Sequence, residues 1–206
     1  MESSTLLGLV LAAGHGRRMG GPKALLTGPD GRTFLDLVLQ GMEGAGPDLL
    51  VVVVGPWWTG PEPVGRATTV VNPDPDRGPI SSIRCGMGFA GTQWDGMMVA
   101  LVDHPGVAHE TYQALARVHR ERPGSIVIPT VDCVEQPRHR RGHPVIFPRW
   151  SFEALAGPEA DREGARTVVR SNPARVEEVP LGDRGILMDL DTREQYRNFL
   201  NGHHGN

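Results

Sequence analysis

Residues 6–23, LLGLVLAAGHGRRMGGPK, join a continuous apolar run, Leu6–Ala12, to a turn rich in glycine and basic residues. An apolar run of this length without polar alternation is typical of a strand that is buried on both faces of a parallel sheet. Ligands of open α/β sheets bind at the carboxyl ends of such strands. The turn after Ala12 is therefore the first candidate binding site.

Four further apolar runs follow in the first two thirds of the chain, and helical patterns separate them. In the first of these patterns, apolar residues recur four apart at Phe34, Val38 and Met42. The alternation predicts an α/β fold with a single doubly wound, mostly parallel, Rossmann-like sheet and helices on both faces. The predicted strands are Leu6–Ala12, Leu49–Gly55, Thr68–Val71, Met97–Val102 and Ser125–Pro129, and further helical patterns lie at Ile80–Ala90 and Thr111–Val118.

The pattern changes after the fifth run. Val131–Arg141 is polar and has no period, which predicts a loop beside the binding edge of the sheet. Thr192 and Gln195 have the spacing of a capping box at the start of a last helix. The elements predicted between these segments are strands at Val145–Phe147 and Val176–Val179 and short helices at Phe152–Leu155 and Arg162–Val169.

Composition limits the class of protein. The 206 residues include 21 basic and 24 acidic side chains, a formal charge of −3 that excludes a generic nucleic-acid coat protein. Cys85 and Cys133 are too few for a disulfide framework, and no run approaches the roughly 20 apolar residues of a membrane span. We expect a cytoplasmic protein without a signal peptide, with one domain over residues 1–201 and a frayed tail over residues 202–206.

The turn Gly14–Lys23 has the composition of a phosphate-binding loop. Its glycines let backbone N–H groups approach an anion closely, and Arg18 and Lys23 can neutralise a triphosphate. It fits neither the dinucleotide fingerprint, because Met19 takes the place of the third glycine, nor the P-loop, because Ala24 follows the lysine. On composition alone, a surface turn explains it equally well.

The complete string from Leu11 to Lys23 resembles the signature L-A-A-G-x-G-x-R-M-G-x-P-K of nucleotidyltransferases that join an NTP to a phosphate-bearing acceptor. The resemblance implies their glycosyltransferase A-type fold, with Arg18 and Lys23 on the nucleotide phosphates. The Ala-Ala-Gly form favours CTP, since the guanylyltransferases of molybdenum cofactor synthesis usually show Ala-Gly-Gly. The nucleotide-binding residues implied in this turn are Leu11, Ala12, Ala13, Gly14, Gly16, Arg18 and Lys23.

The segment GPISSIR, residues 78–84, places Pro79 at the first position of a predicted helix. It is similar to a Gly-x-Ser-Ser-Ser-Leu-Arg segment of the molybdenum cofactor cytidylyltransferases. The resemblance implies nucleotide contacts for Gly78, Ser81 and Ser82. A capped helix with solvated serines is an equally good interpretation.

Two acidic segments are candidates for Mg²⁺ binding. Asp103 follows the run Met97–Val102, where a carboxylate suits a hard cation beside a triphosphate. Family members carry Asp-x-Pro here and bind the metal through the Asp, whereas His104 replaces the more usual Met and either touches substrate or fills space. DLDTRE, residues 189–194, resembles Asp-x-Asp-Thr-Pro-Glu-Asp and implies Asp191 as the second ligand. The alternatives are a turn-initiating Asp103 and an Asp191 that favours a helix N-terminus.

The segment RGHPVIF, residues 141–147, is similar to one in the molybdenum cofactor cytidylyltransferase group. This resemblance implies acceptor-side roles for Arg141, Gly142, His143 and Pro144. The preceding basic run, Arg138–Arg141, suits an anionic acceptor phosphate. A histidine that merely packs in a turn is the alternative for His143.

Together these resemblances imply transfer of CMP from CTP to the phosphate of a molybdopterin-type cofactor, with Arg18, Lys23 and Asp103 as the catalytic residues and Mg²⁺ as the cofactor. A molybdenum hydroxylase is the implied client, and neither nucleic acid nor a membrane is expected as a partner. Three alternatives stay open: GTP as the donor, a sugar phosphate as the acceptor, and a non-catalytic carrier of the finished cofactor. A nicotinamide dehydrogenase fails on the fingerprint.

Overall fold

The computed structural model describes residues 4–63, 67–133 and 136–202, with only the backbone described for residues 133 and 136–138. The described strands are β1 (Leu6–Ala12), β2 (Leu49–Val54), β3 (Ala67–Val71), β4 (Gly96–Leu101), β5 (Ile126–Cys133), β6 (Gln136–Arg141), β7 (Val145–Pro148) and β8 (Val176–Pro180). The α-helices are α1 (Phe34–Gly44), α2 (Pro79–Ala90), α3 (His109–Glu121), α4 (Phe152–Ala156), α5 (Ala160–Glu163), α6 (Arg166–Ser171) and α7 (Arg193–Leu200).

The strands form one mixed sheet in the order β3-β2-β1-β4-β7-β5-β6, with β8 paired to β5. β1 to β4 are parallel to their neighbours in this group, whereas β7 runs antiparallel to both β4 and β5. Separate apolar clusters cover the two faces, one containing residues of α1 and α3 and the other containing residues of α2 and α4. The predicted α/β class, with a mostly parallel sheet and helices on both faces, is confirmed.

The central strand β1 explains why its sequence is uniformly apolar. All seven of its residues are buried. Leu6 and Val10 belong to the cluster on one face, whereas Leu7 and Leu9 belong to the cluster on the other. Because successive side chains of a strand point to opposite faces, a strand covered on both sides needs no polar positions.

The prediction of a loop at Val131–Arg141 was wrong. Most of this segment lies in β5 and β6, which pair antiparallel through Thr130 with Arg141, Val131 with Arg140 and Asp132 with His139. β6 is the last strand of the order, and its His139 and Arg140 are exposed. An edge strand that is exposed in this way needs no alternation of apolar residues, so its polar sequence cannot be distinguished from that of a loop.

The predicted helix Arg162–Val169 is also different in the structure. It is divided between α5 and α6, because Gly164 has a φ of 66° and interrupts the helical backbone. The predicted capping box is present, since the Thr192 side chain accepts from the Gln195 amide. Of the predicted tail, residues 203–206 lie outside the described residues. No helix in the described part of the chain is long and apolar enough to cross a membrane.

A buried histidine of α3, which packs against Gly96 at the start of β4, predicts a pH-dependent stability. His119 is 1% exposed, and burial lowers the pKa of its imidazole below 6.5, as does Arg120, whereas Asp95 acts in the opposite direction. Below pH 6.5 the unfolded chain therefore binds a proton that the folded protein resists, so the free energy of unfolding falls as the pH falls. Above about pH 7 both states are neutral there and the contribution vanishes.

We expect His119→Leu to flatten the pH dependence of stability between pH 7 and 5. The slope of the unfolding free energy is expected to fall by at most about 1.4 kcal/mol per pH unit, the value for one proton. Urea unfolding of both proteins at several pH values measures the two slopes. Equal slopes would mean that His119 titrates normally in the folded protein.

Candidate active site

The glycine-rich turn after β1 closes on its own backbone. The amides of Met19 and Gly21 donate to the Gly16 carbonyl oxygen at 2.8 and 3.2 Å. Gly16 has a φ of 61°, and a Cβ there would lie 1.8 Å from the Gly21 carbonyl oxygen. The position therefore requires glycine, and the closed turn leaves Arg18 exposed beside Met19, which is buried.

An aromatic contact braces the same turn. The rings of His15 and Trp57 are stacked with centroids 3.4 Å apart, and His15 Nε2 lies 3.2 Å from Asp76 Oδ1. Trp58 is half-buried against the core cluster that includes α1. The two tryptophans thus belong to a packed loop beside the turn.

The ammonium group of Lys23, the only lysine of the chain, lies among three carboxylates. Its Nζ is 2.9 Å from Asp103 Oδ2 and 3.7 Å from Asp189 Oδ1, and it donates a hydrogen bond to Asp191 Oδ1. The Lys23 side chain is 15% exposed. Burial lowers its pKa, but the hydrogen bonds and charges of Asp191 and Asp103 outweigh this effect and raise the pKa above 10.5. The Lys23 ammonium group is therefore charged, and its position is fixed by the carboxylates around it.

These carboxylates come together because three chain segments end at one edge of the sheet. Val102, directly after β4, donates its amide to Leu11 in β1, which places Asp103 beside the turn. The Leu190 amide donates to the Asp103 carbonyl oxygen at 3.1 Å and attaches the segment before α7. The carboxyl ends of β1 and β4 and the start of α7 thus share one site.

The cluster carries an excess of negative charge. Three carboxylates face a single ammonium, and burial together with the charges of Asp103 and Asp191 raises the pKa of Asp189. The hydrogen bond from Lys23 lowers the pKa of Asp191, and Arg18 contributes to this lowering. Such an imbalance favours the binding of a further cation.

His104 completes this group from the buried side. It is 7% exposed, and ligand atoms of Asp103, His104 and Asp189 all lie within 4.8 Å of one another. Its ring meets His143 edge-on, with centroids 5.4 Å apart. Burial, and then the charge of His104, lowers the pKa of His143 to about 4. The sequence prediction paired Asp103 with Asp191; both contact the Lys23 ammonium group, and Asp189 lies beside Asp103 and His104 as well.

The start of α2 contains a polar contact that the sequence interpretation missed. Asn72 follows β3, is 3% exposed and donates from Nδ2 to Ser81 Oγ at 2.9 Å and to Ser82 Oγ at 3.0 Å. Ser81 Oγ in turn donates to the Gly78 carbonyl oxygen. Ser82 is buried and Ser81 half-buried, so these hydroxyls are held by protein groups. The sequence did contain an indication of this contact, because Asn72 is a polar residue directly after an apolar run, the same position that Asp103 occupies after its own run.

The residues of the predicted acceptor segment have different surroundings in the structure. His143 is brought against His104, but Arg141 forms an ion pair with Glu178, at 2.8 Å from Nε and 2.6 Å from its terminal nitrogen. A Cβ at Gly142 would lie 2.2 Å from the Ile186 carbonyl oxygen, so this glycine permits a close backbone approach. The side chain of Arg138, in the predicted basic run, lies outside the described residues.

Comparison with known proteins identifies relatives over most of the chain. A family model described as the MobA-like NTP transferase domain matches residues 8–177. Nicotine blue oxidoreductase of Paenarthrobacter nicotinovorans is 35% identical, over 94% of this chain and 95% of its own. The purine catabolism protein PucB of Bacillus subtilis is 28% identical over 95% and 96% of the two chains.

Solved structures give the same result for the fold. Rv0371c from Mycobacterium tuberculosis H37Rv superposes with a TM-score of 0.75 at 26% identity, covering 98% of this chain and 100% of its own. A structure of Rv0371c in complex with manganese is also similar, with a TM-score of 0.71 at 24% identity, over 96% of this chain and 99% of that one.

Proposed function

The chain belongs to the MobA-like NTP transferase family and is a nucleotidyltransferase, and we propose that it transfers CMP from CTP to the phosphate of a molybdopterin-type cofactor. The observation that carries this proposal is the placement of Lys23 among Asp103, Asp189 and Asp191 beside the glycine-rich turn. A cation and an acidic cluster at one sheet edge match the needs of a triphosphate with its metal ion.

In this proposal the first turn binds the triphosphate. The backbone of Gly14 and Gly16 approaches the phosphates, Arg18 is exposed to meet them, and Lys23 moves from the carboxylates to the leaving group. The other proposed nucleotide contacts are Leu11, Ala12, Ala13, Gly78, Ser81, Ser82 and Asp103. The preference for CTP rests on the Ala-Ala-Gly form of the turn.

The residues at this edge fit a divalent cation. Asp103, Asp189 and Asp191 offer oxygen ligands, and their charge exceeds that of the single ammonium facing them. Mg²⁺ is the predicted ion, and when bound it would polarise the α-phosphate and align it for attack. The name of the manganese complex of Rv0371c supports a divalent ion in this fold.

The proposed reaction needs no side chain to activate the nucleophile, which is the acceptor phosphate. The acceptor phosphate is ionised at pH 7, and one of its oxygens forms a bond to the α-phosphorus of CTP. The bond from that phosphorus to the bridging oxygen of the β-phosphate breaks, and pyrophosphate leaves with the electron pair. Arg18 and Lys23 stabilise its charge, so positioning and charge neutralisation supply the catalysis.

We assign the acceptor side to the segment Arg141, Gly142, His143 and Pro144. His143 lies beside His104 and so adjoins the metal-binding carboxylates. Arg141 is paired with Glu178, and an acceptor phosphate would have to draw it away. A molybdenum hydroxylase is the proposed client for the product. We further propose that residues 1–201 act as one domain.

Asn72→Ala is expected to weaken nucleotide binding. The substitution removes both donors that orient the Ser81 and Ser82 hydroxyls, so we expect the KM for the nucleotide to rise about tenfold, the equivalent of about 1.4 kcal/mol. Steady-state kinetics measures the change. Asn172→Ala is the control, since its amide donates only to Val168 O near the end of α6, and there the KM stays at the wild-type value.

A second candidate is a reductase that uses a reduced nicotinamide. The observation in its favour is the name of the relative that is 35% identical, nicotine blue oxidoreductase. Against it, the first turn departs from the dinucleotide fingerprint at Met19. Binding of NADH without a divalent metal, at the same turn, would favour this candidate.

Release of pyrophosphate tests the proposed reaction. The purified protein is incubated with Mg²⁺ or Mn²⁺, with CTP or GTP, and with molybdopterin or a sugar phosphate. We expect pyrophosphate and a cytosine dinucleotide product only with CTP and molybdopterin. Product from GTP or from a sugar phosphate would mean that the enzyme uses a different donor or acceptor from the one proposed. Binding of the finished cofactor without formation of any product would identify a non-catalytic carrier.

A further inference from the structure

We propose that His104 is a nitrogen ligand of the divalent cation, in a site completed by Asp103 and Asp189, so that this enzyme prefers a transition metal such as Mn²⁺ or Co²⁺ to Mg²⁺. The proposal rests on the nucleotidyltransferase function proposed above, because it concerns the metal of that reaction. It extends the oxygen-only site that the sequence predicted at Asp103 and Asp191.

The three side chains have the separation that one ion requires. Their ligand atoms lie within 4.8 Å of one another. Ligands that are held about 2.1 Å from a six-coordinate ion lie roughly 3 to 4 Å apart, depending on whether they are adjacent or opposite. The three side chains are therefore already close to the spacing that a single bound ion requires.

The state of the imidazole points to a ligand. His104 is more than nine-tenths buried, and in the described part of the chain its Nδ1 has no hydrogen-bond partner. Buried polar atoms in proteins are nearly always paired, so an unpaired ring nitrogen in a histidine beside two carboxylates needs an explanation. Coordination of a cation that the imidazole shares with those carboxylates supplies it.

His143 does not satisfy His104. The two rings meet edge-on with centroids 5.4 Å apart, and His143 Nδ1 is itself without a partner in the described residues. The contact instead packs the His143 ring against the His104 ring. A ring held by packing has less rotational freedom to lose when it binds an ion.

Nitrogen ligation determines the preferred metal. Mg²⁺ takes oxygen ligands and keeps several waters, whereas imidazole suits first-row transition metals, whose affinity rises from Mn²⁺ through Co²⁺. A site of two carboxylates and one imidazole is therefore better matched to Mn²⁺ or Co²⁺ than an all-oxygen site is.

Electron paramagnetic resonance of bound Mn²⁺ tests the proposal without nucleotide or acceptor. Loss of the free Mn²⁺ signal gives the dissociation constant, Mg²⁺ competition gives the selectivity, and pulsed measurements detect a directly bound nitrogen. We expect nitrogen coupling in the wild type and its loss in His104→Leu, with Mn²⁺ affinity lowered at least about tenfold. The affinity of His104→Leu for Mg²⁺ should fall by a smaller factor, so the ratio of Mn²⁺ affinity to Mg²⁺ affinity should decrease.

Two further variants keep the test decisive. His119→Leu removes another buried imidazole whose Nδ1 is unpartnered, at the opposite end of β4, and should leave Mn²⁺ binding unchanged. If His104→Leu does not fold, His104→Gln retains a polar side chain and should lose the nitrogen coupling together with part of the Mn²⁺ affinity. Absence of nitrogen coupling in the wild type, or equal Mn²⁺ affinity in the His104 variants, would overturn the proposal and leave nucleotidyl transfer standing. Nitrogen coupling in a protein without transfer activity would overturn only the proposed function.

Discussion

Asp103→Asn is expected to lower the rate of nucleotidyl transfer by on the order of 10³-fold, with little loss of stability. The substitution keeps the size of the side chain and removes the charge that contacts Lys23 and that is proposed to bind the metal with His104 and Asp189. Lys23 keeps its contact with Asp191, and the backbone bond from the Leu190 amide to residue 103 is retained. The rate of pyrophosphate release at saturating nucleotide and metal measures the effect.

A surface carboxylate provides the matched control. Asp30 forms an ion pair with Arg32 away from the sheet edge, and Asp30→Asn should leave the rate of transfer unchanged. Thermal unfolding of both variants separates loss of the fold from loss of the metal ligand. If folded Asp103→Asn retains a turnover within a few fold of the wild type, the assignment of Asp103 is wrong.

Lys23→Met is expected to have two opposite effects. Turnover should fall by about 10² to 10³-fold, because the variant lacks the cation that stabilises the departing pyrophosphate. Mn²⁺ affinity without nucleotide should rise, because the ammonium no longer competes for Asp103, Asp189 and Asp191. The transition temperature of the metal-free variant should fall and recover on addition of Mn²⁺, since three carboxylates are left without their counter-charge.

The competition can be observed directly, because Lys23 is the only lysine. Reductive methylation with ¹³C-formaldehyde preserves the charge and gives a single lysine resonance beside that of the amino terminus. We expect this resonance to shift when a diamagnetic divalent ion is added to the metal-free protein and again when CTP is added. A resonance that moves with neither ligand, together with unchanged Mn²⁺ affinity in Lys23→Met, would contradict this role.

The sequence alone was sufficient to locate those parts of the candidate site that are formed by residues close together in the chain. The turn from Gly14 to Lys23 follows a strand that is recognisable because it is apolar throughout, and strand ends mark ligand sites in this class of fold. Asp103 was found by the same argument. The capping box at Thr192 was also predictable, because the two residues that form it are three positions apart.

The contacts that join distant segments were not predictable. Lys23 and Asp191 are 168 positions apart, and nothing in either segment indicates that they form an ion pair. Asp189 and Asp191 are two positions apart in one short segment, and only the fold shows which one lies with Asp103 and His104. Asn72 was missed because its function depends on hydroxyls in another element.

The edge strand β6 was hidden for a related reason. Its residues are polar because an edge strand with exposed side chains does not need a hydrophobic face, so hydropathy cannot distinguish it from a loop. Pairing with β5 holds it, and that pairing is a property of the backbone.

The central claim, that this sheet edge binds a nucleoside triphosphate through its metal site, is tested most directly by thermal shift. Wild-type protein and Asp103→Asn are heated with CTP, GTP, UTP, ATP or NADH, each with and without a divalent metal, because a ligand of the folded state raises the transition temperature. We predict that CTP with metal stabilises the wild type most and that the variant loses this stabilisation. Stabilisation by NADH alone, or indifference of the wild type to every triphosphate, would contradict the claim.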